Sequence, residues 1–313
     1  MLTVHTNDPV EAAEYIRRGG IVAFPTETVY GLGANVLDRS AIEKIFEAKR
    51  RPSDNPLIAH ISDVEKITSL AVEITKSAEK FITAFFPGPL TIVLRKLPGV
   101  PDIATAGLET IGIRMPRSEL AHRFLLACET PVVAPSANLS GRPSPTTWQA
   151  VAEDLEGRID CILQSDATEI GLESTVVDCT PNGPRVLRSG SVSIEQLREV
   201  VPSTIVHETP DDEIPRSPGL RHKHYSPRAE VIIANTGFEF GSTQSVAYIG
   251  LNHPIPKFER THICSTVEEY AHSIFEFFRE CDRSRVRIIY CEPVNEIGIG
   301  LALMDRIRRA ASG

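Results

Sequence analysis

The side chains of this 313-residue chain that could do chemistry fall into six clusters. Pro25-Thr26-Glu27-Thr28-Val29-Tyr30-Gly31-Leu32-Gly33 follows a β-branched run and sets hydroxyls and a carboxylate ahead of two glycines. Such a polar turn can bring hydroxyls and backbone amides together, or simply end a strand. Lys49-Arg50-Arg51-Pro52-Ser53-Asp54-Asn55-Pro56 puts three cations where a helix is expected to end, which complements the helix dipole. The same cations then enter a proline-bounded loop leading to His60, a setting that suits phosphate. In Thr110-Ile111-Gly112-Ile113-Arg114-Met115-Pro116, strand alternation places Thr110, Gly112 and Arg114 on one face. The planar fork of Arg114 suits a carboxylate, and a solvated surface arginine is the plainer alternative. Residues 134–144 (APSANLSGRPS) offer small, hydroxyl and amide groups that let backbone approach a ligand closely. LESTVVD at 172–178 and RVLRSG at 185–190 complete the set. Neither a phosphate-binding Walker loop, a kinase motif set nor a G-x-S-x-G elbow is present, and spacing supports no Cys–His or Ser–His–Asp arrangement. Many hydroxyls, several arginines and few bases fit the positioning of anions better than covalent nucleophilic catalysis.

Short β-branched runs that could carry these clusters are predicted at 21–24, 57–61, 91–95, 110–114, 132–134, 161–163, 175–178 and 186–188. Helices between them are marked by capping boxes at Ser40 with Glu43, Thr146 with Gln149 and Ser193 with Gln196. The irregular mixture predicts an α/β domain with a mixed sheet over residues 1–203. Residues 204–228 read as a linker, and the stretch 202–228 holds five prolines and no apolar period. The end of that stretch, Arg221-His222-Lys223-His224-Tyr225, carries more chemistry than a spacer needs. Residues 229–313 restart a regular pattern, with strands at 230–234, 246–249 and 286–291. An amphipathic helix at 266–281, boxed by Thr266 and Glu269, and a last helix at 296–310 accompany them. This predicts a small Rossmann-like α/β domain, although G-x-G-x-x-G is missing after its first strand.

Composition narrows the classes. With 42% hydrophobic and 24% charged residues the chain is an ordinary globular protein, and its length suits two domains. Lys and Arg number 33 against 41 Asp and Glu, so the net charge of −8 argues against a general nucleic-acid binder. Six cysteines without C-x-x-C spacing predict buried reduced thiols in a cytoplasmic protein and no structural zinc. No signal peptide and no membrane-spanning run is read.

Taken together, PTETVYGLGA at 25–34, KRRPSDNPL at 49–57, TIGIRMP at 110–116, APSANLSGRPSPT at 134–146, LESTVVD and RVLRSG resemble the YrdC-like family. SPGLRHKHYSP at 217–227, followed by a further domain, resembles its long two-domain form. The resemblance implies a twisted mixed sheet enclosing a concave cationic cavity. It also implies formation of threonylcarbamoyl-AMP and pyrophosphate from L-threonine, bicarbonate or CO2, and ATP. The product would pass to a tRNA-modifying transferase complex that makes threonylcarbamoyladenosine in ANN-decoding tRNAs. On the same resemblance Thr28, His60, Arg114, Ala134 and Ser174 hold L-threonine. Arg51, Asn55, Thr110, Ser136, Ser144 and Arg188 hold ATP. Lys49 and Arg51 face the phosphates or bicarbonate, and His224 with Tyr225 closes over the nucleotide. Mg2+ is expected on the ATP phosphates, with no protein side chain as its ligand. The rival within the same fold is a double-stranded-RNA-binding or ribosome-maturation protein, which the acidic balance disfavours. A hydrogenase-maturation carbamoyltransferase would need an acylphosphatase-like domain and zinc-finger cysteines, and the chain has neither.

Overall fold

The structure is a computed structural model and describes residues 2–180, 183–206, 225–234, 245–254 and 258–312. Its larger part is built on β1 (Val4–Thr6), β2 (Val22–Phe24), β3 (Gly31–Asn35), β4 (Ile58–His60), β5 (Leu90–Arg95), β6 (Thr110–Arg114), β7 (Val132–Ala134), β8 (Cys161–Leu163), β9 (Thr175–Asp178), β10 (Arg185–Arg188) and β11 (Ile205–Val206). They form one sheet in the order β1-β8-β2-β3-β7-β4-β6-β5-β9-β10-β11. β4 lies parallel to β6 and β5 to β9, while β7 is antiparallel to β4 and β5 to β6. The sheet is therefore mixed, as the irregular order of runs predicts. The helices are α1 (Pro9–Arg17), α2 (Arg39–Lys49), α3 (Lys76–Phe85), α4 (Asp102–Thr105), α5 (Glu119–Cys128), α6 (Trp148–Leu155) and α7 (Ile194–Val200).

Side-chain alternation decides where the site can lie. Phe24, Val132, Ala134, Cys161 and Leu163 face one side, where α1 and α5 supply Ala12, Ile16, Phe124 and Leu125. Ala23, Ala59, Ile92, Ile113 and Val133 face the other, against Ile42, Phe81, Val151 and Leu197 of the remaining helices. Burying each large side chain there contributes roughly 1.5–3 kcal/mol. Along β4, β6 and β5 the first face belongs to neither helical core. Ile58, His60, Thr91, Gly112 and Arg114 project from it into two adjoining hollows.

The smaller part contains β12 (Glu230–Ile233), β13 (Val246–Gly250), β14 (Arg260–Ile263) and β15 (Ile288–Cys291), all parallel, in the order β12-β15-β13-β14. α8 (Val267–Arg283) and α9 (Ile299–Ala311) cover it with Tyr270, Ile274, Phe275, Phe278, Leu303 and Ile307. At the seam with the larger part, Gly171 has φ +81°, and a Cβ there would stand 2.5 Å from the His272 carbonyl oxygen. Only glycine permits that approach.

Local signals held unevenly. Ser193 and Gln196 cap each other as predicted. Thr266 caps α8, but the Glu269 carboxylate accepts from Ser265 N instead of returning the bond. α2 opens at Asp38 and not at Ser40, because the Asp38 carboxylate accepts from Ala41 N while Ser40 donates to Asp38. α6 is capped by Thr147 and not by Thr146. The polar turn expected at 25–30 is a loop, and β3, which follows it, is a strand outside the predicted runs. Its glycines serve close strand packing, since a Cβ on Gly33 would stand 2.6 Å from Val132 Cγ1. All six cysteines are buried and unpaired, as expected.

Candidate active site

The ends of β3, β4, β6, β7 and β10, the residues just before β9 and several loops meet around one cleft. Register places His60 at the end of β4 opposite Arg114 at the end of β6, with Ala134 of β7 opposite Ile58. Thr28 joins them from the loop before β3. Ser136 and Ser144 line the cleft from the loop after β7, Ser174 from the position just before β9, and Arg188 from the end of β10. Arg51 and Tyr225 close it. The expected residues from distant clusters thus share one hollow.

Arg114 is almost wholly buried and fixed from behind. Its Nε donates to the Gly88 carbonyl at 3.2 Å and its Nη1 to Thr28 Oγ1 at 2.8 Å. Its Nη2 forms an ion pair with Glu27 Oε1 at 2.7 Å that lacks hydrogen-bond alignment. Sequence reasoning assigns Glu27 no role. The signal was an acid beside Thr28, but its partner lies far along the chain. Arg188 donates from Nε and Nη2 to the Ser174 carbonyl at 3.1 and 3.0 Å, and from Nη2 to Ser174 Oγ at 3.2 Å. Ser174 Oγ in turn shares a 2.8 Å hydrogen bond with Thr91 Oγ1. Glu173 is a second missed residue. It lines the cleft, accepts from Ser144 Oγ and pairs with Arg306 of α9 at 3.0 Å. Burial by itself raises its pKa, but Arg306 and Arg188 outweigh burial and hold the carboxyl below its ordinary range.

Electrostatics sort the remaining groups. Burial lowers Arg51 to about 10, so it stays charged at neutral pH. Tyr225 has φ +63°, unusual for a bulky residue, and stacks on Phe275 at 5.3 Å between ring centres. Burial raises its phenol, which stays neutral. His60 is pushed down to about 3, first by burial and then by Arg114, so it acts as a neutral hydrogen-bonding group. The unfolded chain takes up this proton near 6.5 and the folded chain only near 3, so stability rises with pH between those values. From pH 7 down to pH 5, roughly 2 kcal/mol should be lost through His60 alone. Urea midpoints across that range check this, and His60→Gln should remove that share of the acid sensitivity.

Three expectations change and one lies outside the description. Lys49 does not face the cleft. It is buried beneath the 136–144 loop, where its Nζ donates to the Ser136 and Asn138 carbonyls. Burial, then Arg51, pulls its pKa well down. Its ammonium holds backbone and is not presented to a ligand. Thr110 lines the adjoining hollow with Leu57, Thr91 and Gly112, because it sits at the opposite end of β6 from Arg114. Asn55 lines neither hollow. Its amide is buried with Oδ1 and Nδ2 unbonded among the described residues, while its carbonyl accepts from Arg51. His224 lies outside the described residues. The carboxylates beside the cleft, Glu27 and Glu173, are committed to Arg114 and Arg306. Among the described residues no group of three His, Cys, Asp or Glu side chains could hold a metal ion.

A family model described as telomere recombination matches residues 14–190, and one described as threonylcarbamoyl-AMP synthase, C-terminal domain, matches residues 192–312. The chain belongs to the threonylcarbamoyl-AMP synthase family. It has the family's two-domain form and is an adenylyl-transferring enzyme. It is 42% identical to the threonylcarbamoyl-AMP synthase of Pyrococcus abyssi, over 96% of this chain and 93% of that one. It is 38% identical to that of Bacillus subtilis, over 98% and 94%. A crystal structure of P. abyssi Sua5 complexed with L-threonine superposes with a TM-score of 0.90 at 40% identity, covering 99% of this chain and 97% of that one.

Proposed function

We propose that this chain makes threonylcarbamoyl-AMP and pyrophosphate from L-threonine, ATP and bicarbonate or CO2, with water released where the carbon comes from bicarbonate. The observation that carries this reading is the convergence of Arg51, Arg114 and Arg188 on one cleft in a protein of net charge −8. The reactants repel one another. Two unit charges 4 Å apart cost about 4 kcal/mol at an effective dielectric near 20. Fixed guanidinium groups offset that cost without reorganising.

Arg114 takes the threonine carboxylate, because its fork is held by Gly88, Thr28 and Glu27 and opens on the cleft. Neutral His60 and Ser174 bond the amino acid's other polar groups. The neutral threonine amine bonds to the carbon of CO2, losing a proton to solvent, or to that of bicarbonate with loss of water, and gives a carbamate. His60 is too weak a base to keep the amine proton. A carbamate oxygen then attacks the α-phosphorus in line, and pyrophosphate leaves. Arg51, Ser136, Ser144 and Arg188 meet the nucleotide. The adjoining hollow, which shares Ile58 with the cleft and is lined by Thr110, takes its base. Mg2+ carried on the triphosphate supplies further charge neutralisation. Tyr225, which lines the cleft, covers the labile carbamate from water. We place the reaction in the cytoplasm, with the product passing to a transferase complex that modifies ANN-decoding tRNAs. Among the described residues no helix is long and apolar enough to cross a membrane.

Pyrophosphate release tests the reading. Release is expected only when L-threonine, bicarbonate and ATP are all present, and L-serine should support it poorly. Release independent of L-threonine would overturn it. A salt-sensitive shift of double-stranded RNA without turnover would favour the RNA-binding alternative.

A further inference from the structure

We propose that Arg306, on the last helix of the C-terminal domain, is a positioning residue for the nucleotide side of the active site. The inference rests on the proposed function above. Arg306 is fully buried, and among the described residues its partners Glu173, Ser189 and Tyr225 belong to the cleft or its rim, with Asp305 on its own helix. Its Nε donates to Glu173 Oε2 at 3.0 Å, and Glu173 Oε1 accepts from Ser144. Its Nη2 donates at 3.0 Å to the carbonyl of Ser189, next to Arg188. Its guanidinium carbon lies 5.3 Å from the centre of the Tyr225 ring, which also stacks on Phe275 of α8. Asp305 binds its Nη1 at 2.7 Å and fixes the remaining arm. One planar side chain from a second domain thus sets Ser144 through Glu173, the turn after Arg188, and the ring of Tyr225.

The backbone agrees with this arrangement. A Cβ on Gly190 would stand 2.3 Å from Thr175 N and 2.6 Å from the Glu173 carbonyl oxygen, so the Arg188 turn presses directly on the segment that carries Glu173. Small shifts at Arg306 therefore reach both walls. None of these contacts touches Arg114, His60 or Thr28. The L-threonine carboxylate is anchored separately through Glu27 and Gly88, whereas Ser174, at the far end of that ligand, lies in the segment the Arg188 turn presses on. The structure thereby predicts that the two ligands respond differently to one distant change.

Isothermal titration of the full chain with ATP–Mg2+ and with L-threonine tests this. Arg306→Lys keeps the charge but loses the fork. It should weaken ATP binding by about tenfold or more. L-threonine affinity should fall much less, and the melting temperature should drop because the buried hydrogen bonds to Ser189 and Asp305 are lost. Equal weakening of both ligands, or unchanged ATP binding, would overturn the inference. In Arg306→Met with Glu173→Gln, the buried acid is no longer left unpaired. Persistently weak ATP binding in that double variant supports positioning. Recovery to the parent level would show that Arg306 only neutralises Glu173, and would overturn it. Arg283→Ala, which removes an exposed pair with Glu153 at the same domain seam, should change neither affinity. A parental protein that binds no ATP would sink the functional reading itself, and the inference with it. Parental binding left intact in Arg306→Lys would sink the inference alone.

Discussion

Arg114→Ala is expected to lower L-threonine affinity by about 100-fold or more, because truncation removes a desolvated bidentate partner for the carboxylate. The same change strands Glu27, whose side chain is 2% exposed and loses the ion pair at 2.7 Å. An uncompensated buried charge costs about 3–5 kcal/mol of stability. The two effects can be separated. Arg114→Ala with Glu27→Gln should recover most of the stability and none of the L-threonine binding. ATP affinity should fall much less in both variants, since Arg51 and Arg188 are anchored elsewhere. Calorimetric titration with each ligand, beside urea unfolding, provides the comparison. Equal loss of both ligands would contradict the role given to Arg114.

Asp154→Ala should be the most damaging change outside the cleft. The Asp154 side chain is fully buried on α6 and gathers three segments. It pairs with Arg279 of α8 at 2.9 Å, with Arg142, and accepts from Leu139 N at 3.1 Å. Arg279 also donates to the Pro143 carbonyl at 2.6 Å, and Lys49 binds the same loop from below. Removing the carboxylate leaves the buried Arg279 guanidinium without its 2.9 Å partner and beside the half-buried Arg142. We expect a stability loss of about 3–5 kcal/mol. Nucleotide affinity should fall as Ser136 and Ser144 lose their register. A loss below about 1 kcal/mol in urea unfolding would place the pair among ordinary surface bridges and refute this account.

These two sites show how far the sequence could be read. Arg114 was legible because strand alternation puts it on one face with Thr110 and Gly112, and β6 has that geometry. The face was readable but not the position along it, so Thr110 ends up in the adjoining hollow. Lys49 shows the opposite outcome. A cation at a helix end before a proline-bounded loop reads as a phosphate ligand. Whether it reaches the ligand or binds carbonyls depends on where the 136–144 loop folds over it, about ninety residues away.

The sequence by itself determined the mixed α/β character, the second α/β unit, the buried cysteines and the motif set that marks the family. These follow from periodicity, turn chemistry and residue type, which act over a few neighbours. Tertiary structure alone decided which charges are neutralised and by what. Glu27 meets Arg114, Asp154 meets Arg279 across 125 positions, and Glu173 meets Arg306 across 133. Desolvation of a charge depends on everything packed around it, and no local pattern carries that information.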